Sequence, residues 1–557
     1  MQKSEIKRFI DCFEYLKKHY LDIFDALCAM LEVFLAHRQN PEIFLLQASK
    51  ITPALESIFA QNAISTPLLL SSDIKLHRLG KLLGESEANL QNIEEFFHII
   101  SQQKTSNKLY YYSTPLEVNQ LLIRLLDIKP DESLYNPCYG MGSVFLSLAQ
   151  VHGGIRLFGE ELDEKLSKIA LMIARICNID ASQLHVTNLL KTPSFITDEG
   201  ARQFDKVLCN PPMYPHMGLE YLKKDARFAQ IGTLAKYYSE LIFLTHSLMH
   251  LKKRGVFIVR NQVLQKTSLE AKVRQKLLQE NMIEAIIELP KNIFPLQNHD
   301  LSIMVLAPNS QNILHINANN EFFYHKDGKY NRLTNLDYFI EIFKHKKPSK
   351  YSKITAQKDI QKNDLRASFY INWENEKGGQ TLKSMGFEAI RGQRVYGGKN
   401  DEAIEFFDVG IADFNPLGFT QNFENPKKIG DKNKIKKYAL KPYDILLSLR
   451  GNTPKITILG EFDGLCVANT GVLVLRNPSK EVALHLYCYF FKDRGLKQLR
   501  GIYGKSAESG LNCELLLGLS IPKDYDKSAK ELFEKILRLS SKMRTLEEEI
   551  SKLRCEK

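Results

Sequence analysis

Apolar residues recur at helical spacing through the first hundred residues. "IKRFIDCFEYLKKHYLDIFDALCAMLEVFLAH" (6–37) keeps that spacing with almost no turn signals. Residues 1–107 therefore predict a helical N-terminal domain, a scaffold with no chemistry of its own. From residue 108 the pattern changes, and short β-rich runs alternate with helical ones. "SLYNPC" precedes "GSVFLSLAQVH", and "IRLFGEEL" precedes "DEKLSKIALMIARICNI". "LHVTNLL", "FDKVLCNPP", "GVFIVRN", "IEAIIEL" and "LSIMVLAP" follow, with helical stretches around 235–251 and 268–280. Such alternation predicts a parallel sheet with helices on both faces, whose ligands sit at the carboxyl ends of the strands. Residues 311–375 read as mixed and polar, with the basic run "KHKKPSKYSK". Residues 376–525 hold short strands broken by Gly, Pro and Asn, and residues 526–557 form one helix.

The chain has 557 residues, a formal net charge of +12 and 25% charged residues, an ordinary composition for a multidomain globular protein. The positive balance fits a polyanionic partner. No apolar run approaches the ~18–20 residues that cross a bilayer, and the start lacks a secretory apolar core. The nine cysteines are scattered without a CxxC pair, so neither a disulfide framework nor a metal site is expected. The expected setting is the reducing cytoplasm.

The unusual residues fall at the predicted strand ends. "YNPCYGMGSVF" (135–145) leaves a strand and opens a helix. Gly140 and Gly142 would let the backbone approach a ligand, and the helix beyond them offers free N–H groups. The next strand ends in "FGEELD" (158–163), where an acidic residue would meet ribose hydroxyls; Glu161 is the first choice and Glu160 the alternative. "VLCNPPMYPHMG" (207–218) is a hydrophobic strand ending in Asn-Pro-Pro. The Asn210 side-chain oxygen and the Pro211 carbonyl can both accept from one NH2 group. That draws a conjugated amine toward sp3 and aims its lone pair, while Pro212 stiffens the turn. Neither a cysteine nucleophile nor a strong general base is required.

In that order, "YSTPLEV" (112–118), "NPCYGMGSVF", "FGEELD", "FDKVLCNPPM" and "ELPKNIFPLQNHDLSIMVL" (288–306) resemble N6-adenine DNA methyltransferases, in particular the modification subunits of type I restriction–modification systems. The tail "ITAQKDIQKNDLRASFYI" (354–371) is similar to the end of those subunits. The resemblance implies a Rossmann-like methyltransferase domain over 108–375, S-adenosylmethionine as donor, and adenine N6 of double-stranded DNA as acceptor. It implies that Thr114 and Pro115 line the methionine end, that Gly140 and Gly142 pass the donor, and that Glu161 holds its ribose. Asn210, Pro211 and Pro212 become the catalytic motif. Three positions depart from the pattern. Asn136 and Asn188 stand where the family usually carries acidic residues at the donor. Met213 stands where an aromatic stacks on the flipped base, and Tyr214 beside it is a possible substitute. The departures raise an alternative: a non-catalytic DNA-binding protein on a decayed methyltransferase fold, unable to bind S-adenosylmethionine. A methyltransferase acting on protein or RNA is the other alternative.

"LKPYDILLSLRGNTPKITIL" (440–459), "VANTGVLVLR" (467–476) and "GIYGKSAESGLNCELLLGLSIP" (501–522) make residues 376–525 similar to an α+β target-recognition domain of type I specificity subunits. Arg450 and Lys455 in one polar loop, and Lys505, Ser506, Ser509 and Asn512 in an expected turn, are the candidates for DNA contact. In the last helix Leu532, Ile536, Leu539, Met543, Leu546, Ile550 and Leu553 alternate spacings of four and three after Ser528, which reads as a coiled-coil seam. The resemblance suggests a homodimer, or pairing with a related specificity or modification subunit. DNA cleavage would need a separate restriction subunit.

Overall fold

The structure is a computed structural model. It describes every residue except 1, 71–72, 103–113, 152–154, 214–221, 223–224, 230–238, 266–268, 295–298, 361–363, 372–378, 397–402, 416–417, 422, 424–426, 451–453, 507–510, 523–528 and 556–557. Tyr214, Ser509 and Ser528 thus lie outside the described residues. The chain divides into two compact units, Met1–Ala367 and Ser368–Lys557.

In the first unit, five helices form where helical spacing predicts them: α1 (Gln2–Leu16), α2 (Ile23–Gln39), α3 (Ala48–Gln61), α4 (Leu76–Leu83) and α5 (Leu90–Gln102). They do not close a core of their own. Phe34 meets Phe9 and Phe96 edge to face. All three belong to one apolar cluster with Phe145 and Ile173 of later helices and Leu134, Leu208 and Val256 of the sheet. Burial against the later helices that cover the sheet supplies what short helices lack when isolated.

The chain continues through α6 (Leu116–Leu126), β1 (Ser133–Asn136), α7 (Ser143–Val151), β2 (Arg156–Glu161), α8 (Glu164–Ile176), β3 (Leu184–Val186), β4 (Phe204–Cys209), α9 (Ser239–Leu248) and β5 (Leu251–Arg260). Then come α10 (Leu269–Gln279), β6 (Ile283–Glu288), β7 (Leu301–Leu306), β8 (Asn312–Asn317) and β9 (Ser352–Ala356). The nine strands form one sheet in the order β9-β8-β6-β7-β5-β4-β1-β2-β3. Successive side chains face opposite sides. Leu134, Leu208 and Val256 join the cluster on the α1–α5 side, while Tyr135, Val207 and Phe257 join a second cluster on the other face.

The expected parallel sheet is corrected to a mixed one. The pairs β1–β2, β2–β3, β1–β4, β4–β5 and β6–β8 are parallel, but β7 is antiparallel to both β5 and β6. A parallel entry needs a crossover, usually a helix. Residues 289–300 carry no helix among those described, so the chain turns back. A second correction concerns 311–375. "NILHIN" adds β8 to the sheet, with Leu314 and Ile316 in one core and Ile313 in the other, and β9 pairs antiparallel on its edge. The flanking asparagines and the buried His315 between Leu314 and Ile316 hid that alternation.

The second unit is α+β. Its strands include β10 (Glu388–Arg391), β11 (Ala403–Val409), β12 (Phe419–Thr420), β13 (Lys428–Asp431), β14 (Ile445–Ser448), β15 (Ile456–Leu459), β16 (Cys466–Ala468) and β17 (Val472–Arg476). They form the sheets β10-β17-β14-β15-β12 and β13-β11-β16. Its helices include α11 (Lys480–Phe491), α12 (Asp493–Ser506), α13 (Cys513–Leu517) and α14 (Ala529–Cys555). Residues 503–506, expected in a turn, are the last turn of α12. Tyr503 is buried there and anchors them.

Candidate active site

β1, β2, β4 and β5 run side by side in parallel. Their carboxyl ends bring Asn136, Glu161, Asn210 and Arg260 to one edge. Asn136 is buried, and its Oδ1 accepts from the Cys138 N–H at 3.3 Å, which folds the chain over as β1 ends. Gly140 and Gly142 follow with φ of +56° and +73°, where a side chain would be strained. A Cβ on Gly142 would sit 2.7 Å from the Phe145 ring and 2.9 Å from Ala170 Cβ, so the loop lies directly on α7 and α8.

Of the two acidic candidates on β2, alternation separates the roles. Glu160 is fully buried and accepts from Tyr135 Oη at 2.5 Å and from the Ser194 N–H at 2.6 Å. Glu161 turns the other way. Its Oε2 accepts from the Gly140 N–H at 2.9 Å, and its Oε1 accepts from the N–H groups of Leu162 and Asp163 at 2.8 and 3.0 Å. Burial raises the pKa of the Glu161 carboxyl above its ordinary value, and these N–H donors oppose that rise. Glu161 is therefore the carboxylate that adjoins the glycine turn. Beyond β3, Asn188 closes a turn: its Oδ1 accepts from the Leu190 N–H at 3.1 Å and its carbonyl from the Thr192 N–H at 2.8 Å.

Asn210 follows the buried end of β4. Its Nδ2 donates to Thr114 Oγ1 at 2.7 Å, so the amide presents Oδ1 as its acceptor. Thr114 precedes Pro115, the residue at the start of α6. Asn119 on that helix donates to the Thr114 carbonyl at 3.3 Å and to Ser143 Oγ at 3.2 Å. The far side of the turn is held by Ser239, whose hydroxyl donates to the Pro212 carbonyl at 2.7 Å. Pro211 is buried, and Met213 is half-buried against the apolar cluster on the α1–α5 side of the sheet. Contact with the Cys209 sulfur at 3.7 Å, followed by burial, holds the Cys138 thiol well above its ordinary pKa and makes it a poor nucleophile.

Sequence reasoning missed the residues that support this turn. Next to Ser239, Glu240 is fully buried and pairs with Arg260 at the end of β5 through Nε at 2.7 Å and Nη2 at 2.6 Å. The bidentate pair fastens the start of α9 to the sheet, and Ser239 transmits that anchoring to Pro212. An arginine ending the apolar run "GVFIV" of β5 was the available signal.

In the second unit, the two stretches singled out for DNA contact adjoin each other. The Leu511 N–H donates to the Leu449 carbonyl at 2.7 Å, and Tyr503 Oη hydrogen-bonds the Ser448 carbonyl. Arg450 and Lys455 are exposed at the two ends of the β14–β15 connection. Lys505 lies in the last turn of α12. Asn512 serves the local fold, because its Oδ1 caps α13 by accepting from the Glu514 and Leu515 N–H groups at 2.9 and 3.1 Å.

A sheet in which β7 runs antiparallel to both neighbours, with a glycine turn, a carboxylate and an Asn-Pro-Pro turn at adjacent strand ends, is the architecture of the methyltransferase fold. The chain belongs to the N-6 DNA methylase family, whose model matches residues 90–378. Among curated relatives, the type I restriction enzyme MpnII methylase subunit of Mycoplasma pneumoniae is 28% identical over 293 residues, 48% of this chain and 54% of the relative. The MjaVII methylase subunit of Methanocaldococcus jannaschii is 27% identical over 290 residues, 47% of this chain and 50% of the relative. The chain thus spans about half the length of the curated relatives it matches. Two solved structures share the fold. A type I restriction–modification methyltransferase subunit from Streptococcus thermophilus aligns with TM-score 0.54 and 16% identity, covering 66% of this chain and 98% of that one. The type IIG restriction endonuclease BpuSI aligns with TM-score 0.53 and 12% identity, covering 95% of this chain and 74% of that one.

Proposed function

We propose that this chain is a site-specific DNA methyltransferase of a restriction–modification system, transferring a methyl group from S-adenosylmethionine to N6 of an adenine flipped out of double-stranded DNA. The observation that carries the reading is the Asn210 amide, locked by Thr114 so that Oδ1 is its acceptor atom, within a turn anchored by Ser239. Asn210 Oδ1 and the Pro211 carbonyl accept the two amine protons, which localises the nitrogen lone pair. The site fits the donor. Glu161, beside the left-handed Gly140, offers carboxylate oxygens to a ribose diol, and Gly142 keeps the approach clear where a Cβ would press on Phe145. Asn136 and Asn188 shape the flanking turns, and Thr114 with Pro115 borders the methionine end. When bound, S-adenosylmethionine supplies an electrophilic methyl group. The proton released from nitrogen leaves by way of the Asn210 and Pro211 acceptors and solvent. Met213 and Tyr214 are the candidates for contact with the flipped base, whose unstacking costs a few kcal/mol.

The second unit supplies target recognition, with Arg450 and Lys455 at the ends of the β14–β15 connection, Lys505 in the last turn of α12 and Asn512 at the start of α13 as the candidates for DNA contact. Leu539, Leu546 and Ile550 of α14 are exposed, which supports pairing with a second copy or with a related specificity or modification subunit. Cleavage is left to a separate restriction subunit, and the compartment is the cytoplasm. No helix among the described residues is long and apolar enough to cross a membrane.

The test is single-molecule sequencing of DNA from cells expressing the parent chain or Asn210→Ala. N6-methyladenine at one defined motif, present only with the parent, is the expected result. Unmodified DNA from cells whose purified chain binds S-adenosylmethionine would refute catalysis. Failure to bind the donor would favour the decayed, DNA-binding reading.

A further inference from the structure

Arg227 lies beyond the Asn-Pro-Pro turn, with its side chain only 7% exposed. Every edge of its guanidinium is engaged. Nε donates to both Asp225 oxygens at 3.0 Å, and Nη2 to Asp225 Oδ2 at 2.6 Å. Nη1 donates to the Leu189 carbonyl at 2.8 Å, and Nη2 to the Leu190 carbonyl at 2.7 Å. Those carbonyls directly follow Asn188, in a turn where buried backbone acceptors need partners. A planar fork can serve two carbonyls and a carboxylate together; a lysine ammonium cannot.

The contacts continue beneath the sheet. Arg227 Nη1 is 3.1 Å from His246 Nδ1, and His246 Nε2 is 3.0 Å from Tyr135 Oη. Arginine can only donate, so Nδ1 accepts and the imidazole proton sits on Nε2. Burial, then the charges of His250 and Arg227, keep His246 well below its ordinary pKa, consistent with this neutral form. Nε2–H then donates to Tyr135, and Tyr135 donates to Glu160. Glu160 holds the Ser194 N–H and neighbours Glu161. The chain of contacts thus reaches both flanks of the donor site, the turn after β3 and the end of β2.

We propose that Arg227 is a positioning residue for the methyl donor. By holding the Leu189 and Leu190 carbonyls it fixes the turn that carries Asn188, and Asp225, which clamps the guanidinium, is coupled to donor binding through it. The inference rests on the methyltransferase reading.

The experiment titrates S-adenosylhomocysteine into the full chain by calorimetry and measures steady-state methylation. The proteins are the parent, Arg227→Gln, Arg227→Lys, Asp225→Asn and Asn210→Ala. Arg227→Gln is expected to raise Kd and donor KM together by about 10- to 100-fold, while kcat at saturating donor changes by less than about threefold. Arg227→Lys recovers little of the loss, and Asn210→Ala shows the converse, lost turnover with retained binding. A folded Arg227→Gln, with parent-like circular dichroism and melting, whose Kd is within about twofold of the parent overturns the inference. If that variant does not fold, Asp225→Asn decides: a Kd raised by about three- to tenfold supports the coupling, and an unchanged one overturns it. A parent that binds no S-adenosylhomocysteine fails the methyltransferase reading itself, a result seen before any variant is compared.

Discussion

Thr114→Val tests how the catalytic amide is aimed. The substitution keeps the side-chain shape and removes the hydroxyl that takes Asn210 Nδ2 at 2.7 Å. One neutral hydrogen bond contributes about 1 kcal/mol. Without it the amide can also flip and offer NH2 to an amine that needs an acceptor, which lowers the competent fraction further. The combined effect is about 1–2 kcal/mol, or roughly 5- to 30-fold in kcat. Asn210→Ala removes the acceptor outright. By the scale set for preorganised hydrogen-bonding groups, kcat should fall by about 10²–10³-fold. The decisive quantity is the double mutant. If Thr114 acts through Asn210, Thr114→Val is silent in the Asn210→Ala background, and the coupling energy equals the whole effect of the single change. The assay is single-turnover methyl transfer at saturating donor, with Kd for S-adenosylhomocysteine measured alongside. Equal rate losses from Thr114→Val in both backgrounds would refute the aiming mechanism. A raised Kd without a rate effect would assign Thr114 to the methionine end alone.

Met213→Phe should preserve or raise methylation, because an aromatic ring there adds stacking on the flipped base, while Met213→Ala should also lower the melting temperature because Met213 packs on the core; a strong loss of turnover in a stable Met213→Phe protein would exclude the stacking role. Glu161→Gln should weaken donor binding by about tenfold. Burial raises the Glu161 pKa, so in the parent donor affinity should fall as pH drops through that raised value, whereas calorimetry of Glu161→Gln across pH should show no such step. Glu32, buried while accepting the Leu68 and Leu69 N–H groups, has its pKa raised to about 7, mainly by burial. The folded state therefore holds this proton more tightly than the unfolded chain, and stability should decline between pH ~4.5 and ~7, by on the order of 3 kcal/mol. Urea melts of Glu32→Gln should lose that component; identical pH profiles for variant and parent would contradict it. Finally, removing residues 540–557 should give a folded monomer with weakened DNA binding. The cut spares Phe533 and Ile536, which are buried in the second unit's core and would be lost in a cut at 530. Light scattering that finds the intact chain monomeric, alone and on DNA, would rule out the homodimer.

What the sequence makes legible here is the tip of each strand. An apolar run that stops at glycines, an acid or Asn-Pro-Pro is a local event, readable within a few residues. The choice between Glu160 and Glu161 was not local. Both end the same strand, and only the partner across the sheet, Tyr135 on β1, shows which one turns inward. Strand direction is equally non-local: "LSIMVL" has the same apolar texture whether it runs parallel or, as here, antiparallel. The supports of the site, Ser239 under Pro212, Glu240 on Arg260 and Arg227 on Leu189 and Leu190, join residues far apart in the chain, and no periodicity encodes those pairings. Asn512 differs, since its capping signal was local: Asn-Cys-Glu opens an apolar run, and the polar side chain drew attention to DNA instead. The last helix shows the limit most directly. Its four-and-three spacing runs without a break from Leu532 to Leu553, yet the spacing serves two ends. Ile536, with its neighbour Phe533, is buried against the unit's own core, whereas Leu539, Leu546 and Ile550 are exposed. A heptad pattern specifies that a face is apolar, and only the position of the rest of the chain decides whether that face is already covered. In this protein the change comes between Ile536 and Leu539, so a partner could take only the portion of the seam beyond it.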